Sequence, residues 1–519
     1  MREVALRVCA SSSSRRFLRA ASVCGTALLA SLASLAISAC GTTQHERTSK
    51  LAGPPLLKDA PAASSALGIV TVGEVPSNVA GMTDRIWKLA ARARELTPKE
   101  PVKLSVLPGQ KIVEVVKAHV AKEVPAEEIR AEGRCFETLG LIPVGYDYEG
   151  ETYALLEEEL AGLYLPEDKI MYVAANVDEE ELDGTLAHEL VHALQDQYFQ
   201  IGEKMHWKPG ASDELGAIQA LAEGDATSAM FDEMILARGG EDALREHSAA
   251  DMQDLDAETF LEDSLKDKPP TSLLRKAPRF LAVGLLAPYA DGLAFVNQLR
   301  RRGGWKAVDA AWLKPPISTE QLLHMAKYDA MEAPIVVPPA TASALGAGWK
   351  QTYDDVFGEE EGRLALEEWM SLNASKATAS GWAGDRVTMF ESAAGKHTVA
   401  WQLVFDDDGD ASEAYGNIWT GWTTAFGTPS KLGTATFDLD VYGAPPPKGD
   451  ASKKKKDAKS DASSLPPLPD SAGAPPPKAA ASAVEGCHVI RHSGRNVTLL
   501  AGVPCDLAAA WSAEIAKGP

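Results

Sequence analysis

His188-Glu189-Leu190-Val191-His192 is an HExxH run. Four residues of α-helix turn through roughly 400°, so His188 and His192 project from one face, one turn apart. Two imidazoles at that separation can share one metal ion. Glu189 stands beside them, placed to hold a water bound to that metal rather than to ligate it. The pattern predicts a zinc-bound water with an adjacent general base, the apparatus of a metallopeptidase.

The flanking residues must supply a helix that positions these groups. Leu182, Leu186, Leu190 and Leu194 recur at four-residue steps, and Ala187, Val191 and Tyr198 widen that face, which predicts a largely buried helix. HExxH also occurs on solvated helix surfaces, but burying two histidines and a glutamate without partners is costly, and a metal removes that cost. Asp178-Glu179-Glu180-Glu181 predicts an N-cap and a negative first turn, favourable against the helix dipole. Catalytic zinc takes three protein ligands and keeps a fourth position for water, so one more is needed. No third histidine follows at the HExxHxxGxxH spacing, where Gln195 and Tyr198 stand instead, which argues against a metzincin. Thirty-one residues beyond His192, Glu223 lies in a second apolar-periodic segment, about Asp213 to Leu236, and is expected to be the third ligand.

HExxH on one helix with a glutamate from a following helix resembles the gluzincin branch of zinc metallopeptidases. More of the chain is similar to a little-characterised group of bacterial and archaeal zincin-like proteins. The similar segments are Ala161–Glu167, His188–Gln197 (HELVHALQDQ), Leu221–Thr227 (LAEGDAT), Pro288–Gly292, Ser318–His324 and Gly381–Arg386, so the resemblance covers most of residues 80–425. It implies one Zn2+ per chain, a peptide or protein substrate, and Glu189 moving the proton of the attacking water. It also implies an aspartate three residues after the ligand glutamate to orient a zinc histidine. That position is Ala226, so Asp225 and Asp196 are the candidate carboxylates for that orienting role. His324, Tyr289 and His247 are candidates for steadying the oxyanion, with His324 preferred because it ends the Ser318–His324 run. The pattern Leu163–Leu165, Pro166–Lys169, Ile170–Val173 predicts a hairpin before the metal helix. In zincins an edge strand there pairs with the extended substrate backbone.

The first 39 residues read as a signal peptide: five arginines precede an apolar run, Gly25 to Ile37, too short to span a membrane permanently. Ile37-Ser38-Ala39-Cys40-Gly41 resembles a bacterial lipobox, implying cleavage before Cys40 and lipidation of its thiol. The expected location is the cell envelope, lipid-anchored to a membrane, the outer membrane favoured, facing the periplasm or exterior. The net charge of −22 includes those five arginines, so the remainder is more acidic still. That argues against nucleic acid and against adhesion to anionic headgroups. In an oxidising space, Cys487 and Cys505, flanking a short hairpin-like segment, are expected to form a disulfide, leaving Cys135 as a buried thiol.

The expected fold class is α+β. Residues 40–75 read as a flexible tether, 76–345 as a mainly helical zincin-like domain with a small sheet, and 346–519 as a smaller α+β module. Residues 444–483, with two PPP runs and Lys453–Lys456, lack apolar periodicity and are expected to be a disordered interruption of that module. Asp406–Asp410 does not fit an EF-hand loop and reads as a strand-to-helix turn. The functional expectation is an envelope-anchored zinc hydrolase of peptide bonds. The alternative is a non-enzymatic zincin-fold lipoprotein acting as a binding or scaffold module.

Overall fold

The computed structural model describes residues 68–177, 179–266, 268–426, 430–434, 437–442 and 484–516. The signal peptide, Cys40, most of the tether, Asp178 and the 444–483 segment lie outside the described residues. The fold is α+β, and the chain divides into two compact units: Met1–Gly133, Tyr146–Pro334 and Asp355–Glu361, against Arg134–Gly145, Ile335–Asp354 and Gly362–Pro519.

The first unit holds a four-stranded sheet in the order β1-β2-β4-β3, from β1 (Ile69–Thr71), β2 (Val102–Leu107), β3 (Gly162–Leu165) and β4 (Ile170–Ala174). β1 and β4 run parallel to β2, while β3 runs antiparallel to β4 and forms the edge, so the expected hairpin is present. β1 falls inside the stretch assigned to the tether; a three-residue strand is too short for its periodicity to register. The helices that matter are α1 (Ser77–Ala93), α2 (Gly109–Glu123), α3 (Glu179–Phe199), α4 (Ser212–Glu246), α5 (Ala287–Gly303), α6 (Trp305–Leu313) and α7 (Thr319–Leu323).

α3 and α4 are core helices. From Gly184 to Gln195 and from Ala217 to Met234 every residue is buried. Leucine spacing drives α3 inward. In α4 the drive is different: Ala217, Ala220, Ala222, Gly224, Ala226 and Ala229 keep its surface thin, so neighbouring helices approach closely. Gly240, with φ 69°, interrupts α4 near its end.

The second unit is a seven-stranded sheet in the order β5-β6-β7-β11-β10-β9-β8, from β5 (Trp349–Asp355), β6 (Trp382–Ser392), β7 (His397–Phe405), β8 (Ser430–Thr434), β9 (Phe437–Tyr442), β10 (Cys487–Ser493) and β11 (Asn496–Val503). Pairings from β6 through to β8 are antiparallel. β9 pairs with β10, so the two flanks of the 444–483 segment join in one sheet. α8 (Asp408–Phe426) and α9 (Ala508–Ile515) accompany it, with a shorter helix at Leu372–Ala379, and Cys487 and Cys505 are disulfide-bonded. Asp407 accepts the backbone N–H groups of Gly409 and Asp410, the strand-to-helix turn expected of that acidic run. The boundary differs from residue 345: Ile335 already donates to the Ala383 carbonyl, and Ala340 to Thr388, while 355–361 return to the first unit. A composition shift cannot reveal a chain that crosses between units five times.

Candidate metal centre

α3 carries His188 and His192 one turn apart, and α4 brings Glu223 against them. His188 Nε2 lies 3.0 Å from Glu223 Oε2 and 3.0 Å from His192 Nε2, and His192 Nε2 lies 3.5 Å from the same carboxylate oxygen. These three atoms form the converging donor set expected from the sequence. A tetrahedral zinc with bonds of 2.0–2.1 Å separates its ligand atoms by about 3.3 Å, so the trio is spaced for such an ion. Two imidazoles and one carboxylate are also the donor types zinc takes. All three residues are at most 2 % exposed.

The three side chains bias one another's protonation. Burial alone lowers the affinity of His192 for its proton, but the adjacent Glu223 carboxylate outweighs that and holds its pKa up at about 9. Burial likewise raises Glu223, and the two histidines overcome it, drawing the carboxyl down to about 2. The carboxylate and the imidazoles thus favour one another's charged forms. Further polar atoms there are buried and without a hydrogen-bond partner: His188 Nδ1, Glu223 Oε1, Glu189 Oε1 and Thr227 Oγ1, the last one turn beyond Glu223.

Glu189 does not join the donor set. Its Oε2 accepts the Tyr164 backbone N–H at 2.7 Å, leaving Oε1 free on a carboxyl whose pKa burial pushes up. The amide comes from the edge strand β3, which lies so close to α3 that a Cβ on Gly162 would meet Thr185 Cγ2 at 2.7 Å and Glu189 Cγ at 3.3 Å. A half-engaged, desolvated carboxylate is suited to accept a proton.

The expected orienting carboxylates are placed otherwise. Asp196 takes the Tyr164 hydroxyl at 3.2 Å, and Asp225 faces Arg94 and the Trp312 indole N–H on the side of α4 away from Glu223. Gln195 does the orienting instead. Its Oε1 lies 2.8 Å from His192 Nδ1, and its Nε2 donates at 2.9 Å to the Ala222 carbonyl, next to Glu223. Three residues past the second histidine, it sits on the face that meets α4. The sequence drew no attention to it because a neutral amide is not an obvious anchor.

His324 is also placed away from the trio. It closes α7, whose Thr319 is tied to Asp213 at the start of α4, ten residues or about 15 Å of helix from Glu223. Its Nε2 meets Glu359 at 2.8 Å, an ordinary partly exposed ion pair. His247 caps α4 beyond the interruption at Gly240. Tyr289 is the candidate brought to the site: its ring centroid is 5.8 Å from that of His188, and it is 1 % exposed.

Comparison with known proteins reaches no residue of the candidate metal centre. Comparisons with curated proteins and with solved structures each found no match. Residues 346–440, which hold β5 to β8, α8 and most of β9, match a family described as a domain of unknown function (DUF8575).

Proposed function

We propose that this chain is a zinc-dependent hydrolase of the metallopeptidase type, cleaving peptide bonds in a protein or peptide substrate. The observation that carries the reading is the convergence of His188, His192 and Glu223 with Glu189 alongside and outside the donor set. Zinc held by that trio would supply Lewis acidity, polarising a carbonyl and easing deprotonation of water. Glu189 Oε1 is the proton acceptor, steadied by the Tyr164 amide on its other oxygen. Gln195 favours the His192 tautomer that presents Nε2 to the metal. The lipobox-like Cys40 and the Cys487–Cys505 disulfide support an envelope setting outside the reducing cytoplasm.

A second reading has its own observation. The four site residues are 0–2 % exposed, which suits a zinc held as a structural element in a non-enzymatic binding or scaffold protein. Two measurements order these readings. Purified protein is expected to hold about one zinc per chain, lost in His192→Ala; a metal-free wild type removes both. Zinc-loaded wild type is then expected to cleave members of a peptide library while Glu189→Gln does not. Equal inertness of the two would favour the scaffold.

A further inference from the structure

A buried polar network outside the donor set lies behind Glu223. Arg94, the residue after α1, is fully buried. Its Nε donates to Asp225 Oδ1 at 2.5 Å, and its Nη2 to Asp225 Oδ2 at 3.2 Å and Asp309 Oδ1 at 2.7 Å. The Trp312 indole N–H donates to Asp225 Oδ2 at 2.7 Å. The guanidinium is stacked 4.4 Å from the Trp305 ring centroid and 5.9 Å from that of Phe199, and Phe199 itself stacks on Trp312 at 5.3 Å, 5° from parallel.

Two of these contacts reach the ligand-bearing helices. Asp225 is two residues, about 200° of helix, from Glu223, so the network grips the back of α4 while Glu223 points from its front. Phe199 is the last residue of α3, two turns past His192. A carboxylate stands about 6 Å off a helix axis, so turning α4 by about 20° would move it roughly 2 Å. Metal–ligand bonds tolerate about 0.2 Å. The rotation of α4 must therefore be pinned, and a bidentate Arg–carboxylate pair closed by an indole N–H resists rotation far better than apolar contacts do.

We infer that Arg94, with Asp225 and Trp312, is a positioning clamp that sets Glu223 against the two histidines and thereby tunes metal affinity. The inference rests on the metal-site reading above. The test compares zinc affinity and the visible absorption of the Co(II)-loaded protein in wild type, Arg94→Met, Trp312→Phe and Asp213→Ala. The last breaks another buried hydrogen-bonded carboxylate on α4, at the Thr319 end. Arg94→Met is expected to weaken zinc binding about 10–100-fold and to alter the Co(II) band, with Trp312→Phe giving a smaller change in the same direction. Asp213→Ala is expected to lower thermal stability while leaving affinity within about twofold. If Arg94→Met does not fold, Trp312→Phe decides. Unchanged affinity and Co(II) band in the folded clamp variants, or an equal loss in Asp213→Ala, overturns the clamp alone. A wild type that binds no zinc overturns the metal reading and the clamp together.

Discussion

Gly224 and Gly292 touch backbone to backbone: a Cβ on Gly224 would lie 2.1 Å from the Gly292 carbonyl, and one on Gly292 would lie 1.9 Å from the Ala220 oxygen. This contact seats α5 on α4 one residue from Glu223, and it carries Tyr289, one turn before Gly292, to the side of His188. Neither neighbour has a flexible side chain that could yield. Gly292→Ala is expected to cost about 1–3 kcal/mol in urea unfolding through overpacking, and to lower zinc affinity as Glu223 is displaced. Wild-type stability in that variant would refute the close-contact argument.

Gln195 links a candidate ligand to the helix bearing another. Gln195→Leu leaves His192 Nδ1 buried without its partner, so zinc affinity is expected to fall about 10–100-fold in competition with a chelator. Asp196→Asn, which disturbs the contacts with the Tyr164 hydroxyl and the Gly202 backbone N–H but not the trio, is expected to leave affinity near wild type.

His324→Ala is expected to leave zinc content and any hydrolytic turnover unchanged. Its effect falls on stability and depends on pH. The hydrogen bond to Glu359 raises the His324 pKa above 6.5. The pair's contribution is therefore complete below that value and lost as pH rises through the elevated pKa. Unfolding measured from pH 6 upward should show the gap between wild type and variant narrowing. A zinc-poor His324→Ala would instead place this histidine in the metal site.

The second unit has an acid-sensitive group of the opposite sign. Burial holds His488 down at about 4 against an ordinary 6.5, and it packs edge-on to Trp422 at 5.9 Å. Between those values the unfolded chain binds the proton first, so stability falls as pH drops from 6.5 toward 4, by on the order of 3 kcal/mol. His488→Leu is expected to flatten that loss, read from urea midpoints of the tryptophan-rich unit at pH 7, 5 and 4. An equally steep decline in the variant would assign the sensitivity elsewhere.

What the sequence revealed and what it hid follow one physical divide. His188, His192 and Glu223 were legible because each is a polar residue on a helix otherwise built to be buried, and such residues need a partner. The β3–β4 hairpin and the Cys487–Cys505 link were legible because their partners are close in the chain. Arg94 was not, because it meets Asp225 across 131 residues and nothing local marks it. His324 was chosen for its place in a run of similar residues, yet its surroundings are set by Glu359, which that run does not contain. Asp225 and Asp196 fell in the right helices but on faces that spacing alone does not resolve to better than a neighbouring residue.

The burial of the trio is finally a statement about time. In the structural-element reading, with His188, His192 and Glu223 buried where α3 meets α4, an ion held there would depart only as those two helices part. Its residence would then follow the opening rate of the two helices, whereas a catalytic zinc reached by substrate would exchange without it. In that reading capture would coincide with folding and a strong chelator in excess would strip the metal at a rate insensitive to chelator concentration, while a concentration-dependent rate would favour the hydrolase.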